Sequence, residues 1–566
     1  MHCIAHRRDA MRKFIGFVVV MFLSACAPEQ ADEGIAEQSA VADFGPVYSN
    51  GMVSSAHPVA SEAGLTILRA GGNAFDAAVA VASTLNVVEP MMSGMGGYGT
   101  IMVYSAEAGE PFFLDASGKI PVGVNPAAYR APTPNYMDNR VGAKAVSTPG
   151  ATHAWEAMHE RYGTLAWADL LQPAIQAAED GYVLDERIAR YIGISFEQFS
   201  DYSQAIYGND GAPLGAGDSL VQEDLANTLR ILADEGPAAI YGGALGEAID
   251  TAMRSAGGFL AMVDLENHEA EFWTPLHLEY RGHDIYTPSA PAGAFPMLER
   301  LGMMNVINSR DMGHNSLEYL HNFAEITKMA YWDRLAYSGD PDVKPPPYDK
   351  LLSTEYWQSR ADTIDPAAAR NFDYSGIVTA SSQNTTHYVV ADKDGNVVSA
   401  QVTLGGLFGS KIMPEGTGFW LNNSLRYCTF EPAGNPMDAH PGRRKLSSDA
   451  PSIIFKDGRP VVAIGTPGGH TITQTISQMI MNLLDHGMGI EDAISAPRIA
   501  FIEPNTLAVE ETISEAVRDE LASMGHDIRV SYLGNANGLS IEYLDDGTVR
   551  FTGASDPRGA GFAKGL

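Results

Sequence analysis

Apolar residues recur at helical spacing through Ala60, Ala63, Leu65, Ile67 and Leu68, a pattern that predicts an amphipathic helix. Gly71-Gly72-Asn73 should stop it, because glycine just past the last periodic residue ends helices readily. Residues 75–85 are almost uniformly small and apolar, so a second helix there is expected to be buried all round. A strand is expected at 101–104. The clearest β pattern comes later, where the polar stretch 379–384 gives way to Thr385-Thr386-His387-Tyr388-Val389-Val390. Such a change marks a loop entering a strand. The chain then turns at Asp392-Lys393-Asp394-Gly395-Asn396, and residues 397–404 run back. With Lys393-Asp394-Gly395 as the loop and Gly395 left-handed, Asp392 pairs with Asn396, and Thr385 falls opposite Thr403. A two-residue loop would shift the register by one and turn Thr403 away. Downstream, 446–453 leads into a further strand, and Gly465-Thr466-Pro467-Gly468-Gly469-His470 breaks the chain before a helix expected over 471–486.

Composition narrows the classes without naming a chemistry. The 566 residues are 45% hydrophobic and 19% charged, ordinary globular material with ample core for one large or two to three smaller domains. A formal charge of −32 argues against nucleic acid as a partner. At the N-terminus, Arg7, Arg8, Arg12 and Lys13 precede an apolar run of ten residues at 14–23, too short to span a bilayer. Leu23-Ser24-Ala25-Cys26 follows and resembles the lipobox of bacterial lipoproteins. That resemblance implies a signal peptide at 1–25 and lipidation of Cys26. The protein would then be exported, facing the periplasm and held to a membrane only by its lipid anchor. Residues 26–45 are acidic and alanine-rich and read as a tether. With Cys3 removed and Cys26 lipidated, Cys428 stands alone, so no intrachain disulfide is expected.

A threonine hydroxyl is a weak nucleophile until a base takes its proton, and a free α-amine on the same residue can do so. Thr385 is internal, so the chain would first have to be cut before it. The residues alone equally allow Thr385-Thr386 simply to begin a strand. Adjacent glycine N–H groups near a helix start, as at Gly468-Gly469, can hold a developing oxyanion or form a plain turn. His153, Glu156 and His159 share one segment, but the two histidines are six positions apart rather than four, so no metal site is expected. The cluster Ser93-Gly94-Met95-Gly96-Gly97-Tyr98-Gly99-Thr100 lacks a following Gly-Lys-Ser/Thr. It is expected to pack a turn against a sheet rather than cradle phosphate. No cofactor is expected.

Asn384-Thr385-Thr386-His387-Tyr388-Val389-Val390, followed by Asp394-Gly395-Asn396, closely resembles the self-cleavage site of the γ-glutamyltransferase (γ-glutamyltranspeptidase) family of N-terminal-nucleophile hydrolases. The resemblance runs from about Gly51 to Gly559. It takes in Gly71-Gly72-Asn73-Ala74, Arg161-Tyr162-Gly163-Thr164, Asp333-Arg334, Gly339-Asp340-Pro341 and Asp556-Pro557-Arg558 in order. It implies an α+β fold, the four-layer αββα sandwich. It also implies one precursor cut into a large subunit (46–384) and a small catalytic subunit (385–566) that together form one domain. Thr385 would attack the Asn384 carbonyl to cut the chain and then serve as nucleophile. Thr403 would orient it, Gly468 and Gly469 would supply oxyanion donors, and Ser447 and Ser448 would help hold the substrate. That substrate would be a small-molecule amide, glutathione-like or another acyl amide, whose acyl group passes to an amine or water.

The head-group pocket departs from the family pattern. Ser117 stands where the family carries an arginine, and Gly405 where it carries an asparagine. Ser424 and Tyr427 stand where it carries an acidic or amide residue and an aspartate. Arg426 adds a cation beside the lost acid, so this pocket is expected to suit a carboxylate-ended or plain apolar acyl chain better than a zwitterionic glutamyl. Lys119 could instead supply the missing positive charge. A lipoprotein that binds a ligand without turnover would account for the same changes.

Overall fold

The computed structural model describes residues 48–130, 138–372 and 384–566. The segment with Cys26, the tether and the polar residues 379–383 lie outside the described residues. Strand Asn384–Asp392 pairs with Gly51–Ser55 on one side and Val397–Gly405 on the other, at the centre of a seven-stranded sheet. Phe562–Gly565 closes one edge, while Tyr98–Tyr104, Pro111–Ala116 and Glu271–Trp273 continue to the other. A six-stranded sheet runs in the order Val549–Ser555, Asn537–Tyr543, Arg459–Gly465, Ser452–Lys456, His283–Thr287, Leu276–Tyr280. Both sheets therefore mix strands from before and after Thr385.

Period-two alternation builds the layers. Val389 and Ala391 join Met102, Phe455 and Leu539 in a core between the two sheets. Their neighbours Tyr388 and Val390 face the other way, into a core shared with helix Ala74–Val88. On the second sheet, Ile454 and Ile464 pack outward against helices Phe295–Val306, Leu317–Tyr337 and Ile472–Leu484. The result is the expected α+β arrangement of helix, sheet, sheet and helix. No helix among the described residues is long and apolar enough to cross a membrane.

Local boundaries moved for physical reasons. The first helix is Pro58–Arg69 and the second Ala74–Val88. Asn73 does not merely follow the first helix. Its side chain accepts from the Phe75 and Asp76 N–H groups, while Asp76 bonds back to the Asn73 N–H, a capping box that starts the second helix. The strand expected at 101–104 begins at Tyr98, so the glycine cluster enters the sheet. The reason is close approach. A Cβ on Gly97 would lie 2.6 Å from the Thr403 carbonyl oxygen, and one on Gly99 would collide with that of Gln401. The last expected helix is Ile472–Leu484, preceded by a short 3-10 turn.

The hairpin follows the three-residue loop. Gly395 is left-handed (φ 90°), and Asp392 exchanges a backbone bond with Asn396 (N···O 3.1 Å). The pairing then runs from Ala391 with Val397 to Thr386 with Val402. At Thr385 it breaks. Asn384 pairs with Gly405, so Thr403 and Leu404 together oppose Thr385 in a β-bulge. Asp392 anchors the turn by accepting from Asp394 and Asn396 through Oδ1 and from the Ala74 N–H, at the helix start, through Oδ2.

Substituting Gly99 should therefore overpack the centre of the sheet. Gly99→Ala is expected to lower unfolding stability by about 1–3 kcal/mol or more. Gly193→Ala, in an exposed helix interior with nothing within 4 Å of the new methyl, should raise it by about 0.5–1 kcal/mol. Urea unfolding of the two variants checks both signs.

Candidate functional site

The bulge brings three groups onto one hydroxyl. Thr403 Oγ1 donates to the Asn384 carbonyl oxygen (2.8 Å) and accepts from the Gly405 N–H (2.9 Å). It also accepts from Thr385 Oγ1 at 3.3 Å. One proton and two lone pairs are thereby all engaged. Leu404 is the inserted residue, and its N–H is held by the Met92 carbonyl at 2.8 Å. Gly405 then turns back with φ 98°, a conformation that favours glycine. Both threonine side chains are buried. Among the described residues, no histidine or carboxylate hydrogen-bonds the Thr385 hydroxyl.

A cleft of about 310 Å³ opens on Asn384 and Thr385 and is walled by Met92, Arg187, Arg190, Tyr191, Gly468, Asn535 and Arg558. Gly468 (φ 146°) and Gly469 (φ 60°) form a strained corner before helix Ile472–Leu484. Among the described residues neither glycine N–H donates a backbone hydrogen bond. The residue after the nucleophile candidate is also held. Thr386 Oγ1 donates to Glu89 (2.8 Å), and the other oxygen of that buried carboxylate takes Arg187 (2.7 Å). Arg558 is fixed by Glu510 (2.5 Å) and by Asp556 (2.9 Å), which in turn binds buried Arg498 (2.6 Å). His387 and His470 are buried, which pushes both down to about 3. Both rings are therefore neutral at ordinary pH.

The remaining expected site residues lie around this centre rather than on the cleft. Ser448 Oγ accepts from Arg334 (3.0 Å), and Ser447 Oγ accepts from the Asp449 N–H (3.4 Å). Arg426 sits in the short turn Ser424–Tyr427, against Gly406. Ser424 is bound by the Ser147 hydroxyl, and its N–H donates to Asn422 (3.1 Å), so it belongs to buried framework. Beside Gly405, Asn423 Oδ1 occupies the space a side chain would need, with the Tyr98 hydroxyl 3.5 Å from that point. Tyr427 lies near Tyr98 and, after burial, helps push its phenol pKa up. Lys119 is committed at the surface to Glu271 (3.4 Å).

Histidines expected not to converge do not. His153 meets His268 (2.9 Å), and His159 meets the Leu165 carbonyl (2.8 Å). One cluster was not anticipated. His321, Glu325 and His526 bring ligand atoms within 4.8 Å of one another. These groups already bond one another and their surroundings. His321 takes His526 (2.9 Å) and the Asp365 carbonyl (2.8 Å), and Glu325 takes the Lys328 ammonium (2.7 Å). A cation there would face Lys328, so the trio reads as a hydrogen-bond network. Sequence reasoning also missed Glu89, Arg187, Arg190 and Tyr98, which carry no motif signal of their own.

The Gamma-glutamyltranspeptidase family profile matches residues 60–566. The Acylase ACY 1 proenzyme of Pseudomonas sp. (strain SE83) is 36% identical over 524 residues, covering 90% of this chain and 92% of that protein. The glutathione hydrolase proenzyme of Bacillus subtilis (strain 168) is 33% identical over 544 residues, covering 92% of each. Among solved structures, cephalosporin acylase from Bacillus halodurans superposes with a TM-score of 0.82 at 27% identity, over 97% of this chain and 99% of that one. Matched across most of its length in both sequence and fold, this chain belongs to the Gamma-glutamyltranspeptidase family.

Proposed function

We propose that Thr385 first cuts its own chain and then carries the acyl group of an amide substrate. The observation behind this reading is the Thr403 hydroxyl, bonded at once to the Asn384 carbonyl oxygen and the Thr385 hydroxyl. Donation from Thr403 polarises the carbonyl of the residue just before Thr385. The Thr385 oxygen adds to that carbon, the peptide C–N bond breaks, and an ester replaces the amide. Water then hydrolyses the ester, leaving a carboxylate on Asn384 and a free amine on Thr385.

That amine supplies the base which no neighbouring side chain among the described residues provides. It takes the hydroxyl proton as Thr385 attacks a substrate amide, while the Gly468 and Gly469 N–H groups hold the developing oxyanion. The proton passes to the departing amine, and the acyl-threonine ester is resolved by another amine or by water. The substrate is a γ-glutamyl or related acyl amide, glutathione-like in the simplest case. A second reading, an acylase of non-glutamyl amides with the same machinery, draws support from Ser117, Gly405, Ser424 and Tyr427. Those residues do not rebuild the family's head-group ligands, and an acylase is among the relatives. Each sheet contains strands from both sides of Thr385, so the two fragments, 46–384 and 385–566, would remain one domain after cutting. Export, and anchoring through a lipidated Cys26 facing the periplasm, complete the proposal, on the strength of the short apolar run and Leu23-Ser24-Ala25-Cys26.

Thr385→Ala should remain a single uncut chain without amidase activity, since both steps need the hydroxyl. Thr403→Val, which keeps the shape and removes the hydroxyl, should slow self-cleavage by about 10- to 100-fold. Denaturing gels over time and an acyl-anilide assay read both. An uncut wild-type protein with full amidase activity would overturn the scheme. For the anchor, Cys26→Ser should move the protein from the detergent phase to the aqueous phase on partition. An unmodified N-terminus elsewhere, found by mass spectrometry, would decide against it.

A further inference from the structure

One ammonium near the acyl-transfer centre lacks an acceptor among the described residues. Lys445 is 2% exposed, and its Nζ has no hydrogen-bond partner there. Nζ lies 3.5 Å from the centroid of the Tyr98 ring. Tyr98 is the cross-strand partner of Thr403, so Lys445 stands one strand away from the hydroxyl that touches Thr385. The serines expected to hold substrate, Ser447 and Ser448, stand two and three residues further along the chain. Segment 117–119 lies alongside through the bridge between Lys119 and Arg444. There the Ser117 hydroxyl is likewise buried and without a partner among the described residues.

Neighbouring charges already have partners. Lys119 and Arg444 both reach Glu271, at 3.4 and 2.5 Å, while Arg334 is positioned by one bond to the Ser448 hydroxyl, its Nη1 having no acceptor among the described residues. The acids that feel the Lys445 charge are Asp449 and Asp115. Asp115 accepts from the Ser117 N–H (2.9 Å), and Asp449 from the Thr100 hydroxyl (3.4 Å). A buried cation without a hydrogen-bonded counter-charge is costly, and a bound anion removes that cost.

Resting on the Thr385 acyl-transfer reading, we propose that Lys445 determines acyl-donor specificity. Its ammonium takes a carboxylate at the far end of the acyl chain, with the Ser117 hydroxyl as a second donor. The preferred donors are then amides of dicarboxylic acids, attacked at one carboxyl carbon by Thr385 and gripped by the other carboxylate. Glutaryl and γ-glutamyl groups share that chemistry, and they differ in the α-ammonium, for which Asp449 and Asp115 are the acids near Lys445.

The experiment compares kcat/KM for glutaryl, γ-glutamyl and valeryl anilides in wild type and in Lys445→Met. The variant is expected to lower the glutaryl-to-valeryl ratio by about 30- to 100-fold, with the γ-glutamyl-to-valeryl ratio falling by a like factor if that group is also a donor. Lys445→Arg should restore most of the ratio. An unchanged ratio in Lys445→Met, with all three substrates equal to wild type or falling together, overturns the proposal. Thermal unfolding with added glutarate gives a second readout that needs no turnover. Glutarate, but not valerate, should raise the melting temperature of wild type, and Lys445→Met should lose that rise. If wild type hydrolyses no anilide, the acyl-transfer reading fails while glutarate stabilisation still tests the site. No stabilisation of wild type by glutarate would overturn the role of Lys445.

Discussion

The hydroxyl of Thr403 sets where every reacting group sits. It can donate one hydrogen bond and accept two, and it spends them on the Asn384 carbonyl, the Gly405 N–H and the Thr385 hydroxyl. A regular antiparallel pairing would not place all three there. The inserted Leu404 delays the return of the strand by one residue, and Gly405 can turn because it carries no side chain. Met92, ahead of the glycine cluster, holds the bulge through the Leu404 N–H. Gly97 and Gly99 let the next strand press against the one that carries Thr403. Sequence features that look unrelated along the chain thus serve one short stretch of backbone.

The same closeness constrains the acyl pocket. Tyr98 pairs across the sheet with Thr403, neighbours Tyr427 and lies under the Lys445 ammonium. A side chain at Gly405 would meet Asn423 and the Tyr98 hydroxyl. The positions that depart from the family pattern are therefore coupled rather than independent. Asn423 and the Tyr98 hydroxyl occupy the space beside Gly405. Restoring one family residue alone, such as an asparagine at 405, would create a clash before it restored a ligand contact.

Much of this was legible in the sequence because it depends on local chemistry. The three-residue form of the Asp-Gly turn, with its left-handed glycine, gave the register found over 386–391, and the change from polar to β-branched residues at Thr385 marked where the strand begins. The bulge was not legible, since it depends on the Leu404 N–H finding the Met92 carbonyl in a separate loop and on the Gly405 N–H finding the Thr403 hydroxyl. Asn73 read as a stop because it follows two glycines, although its capping partner Asp76 was only three residues on. Arg187 and Arg190 sit on a helix whose sequence shows an ordinary polar face. Lys445 follows Arg443 and Arg444, and such a basic run reads as solvated surface. Only the pairing of Arg444 with Lys119 shows that the chain there alternates between surface and interior. Ser117, Gly405, Ser424 and Tyr427 were visible as departures, whereas the residues that fill their space were not.

The central claim is that the Asn384–Thr385 junction held by Thr403 is the bond the protein breaks in itself. Intact-mass spectrometry of the purified protein after prolonged incubation tests it most directly. The account requires a fragment of 182 residues, 385–566, whose N-terminus is an unblocked threonine. An intact single chain, or a fragment starting at any other residue, would contradict it.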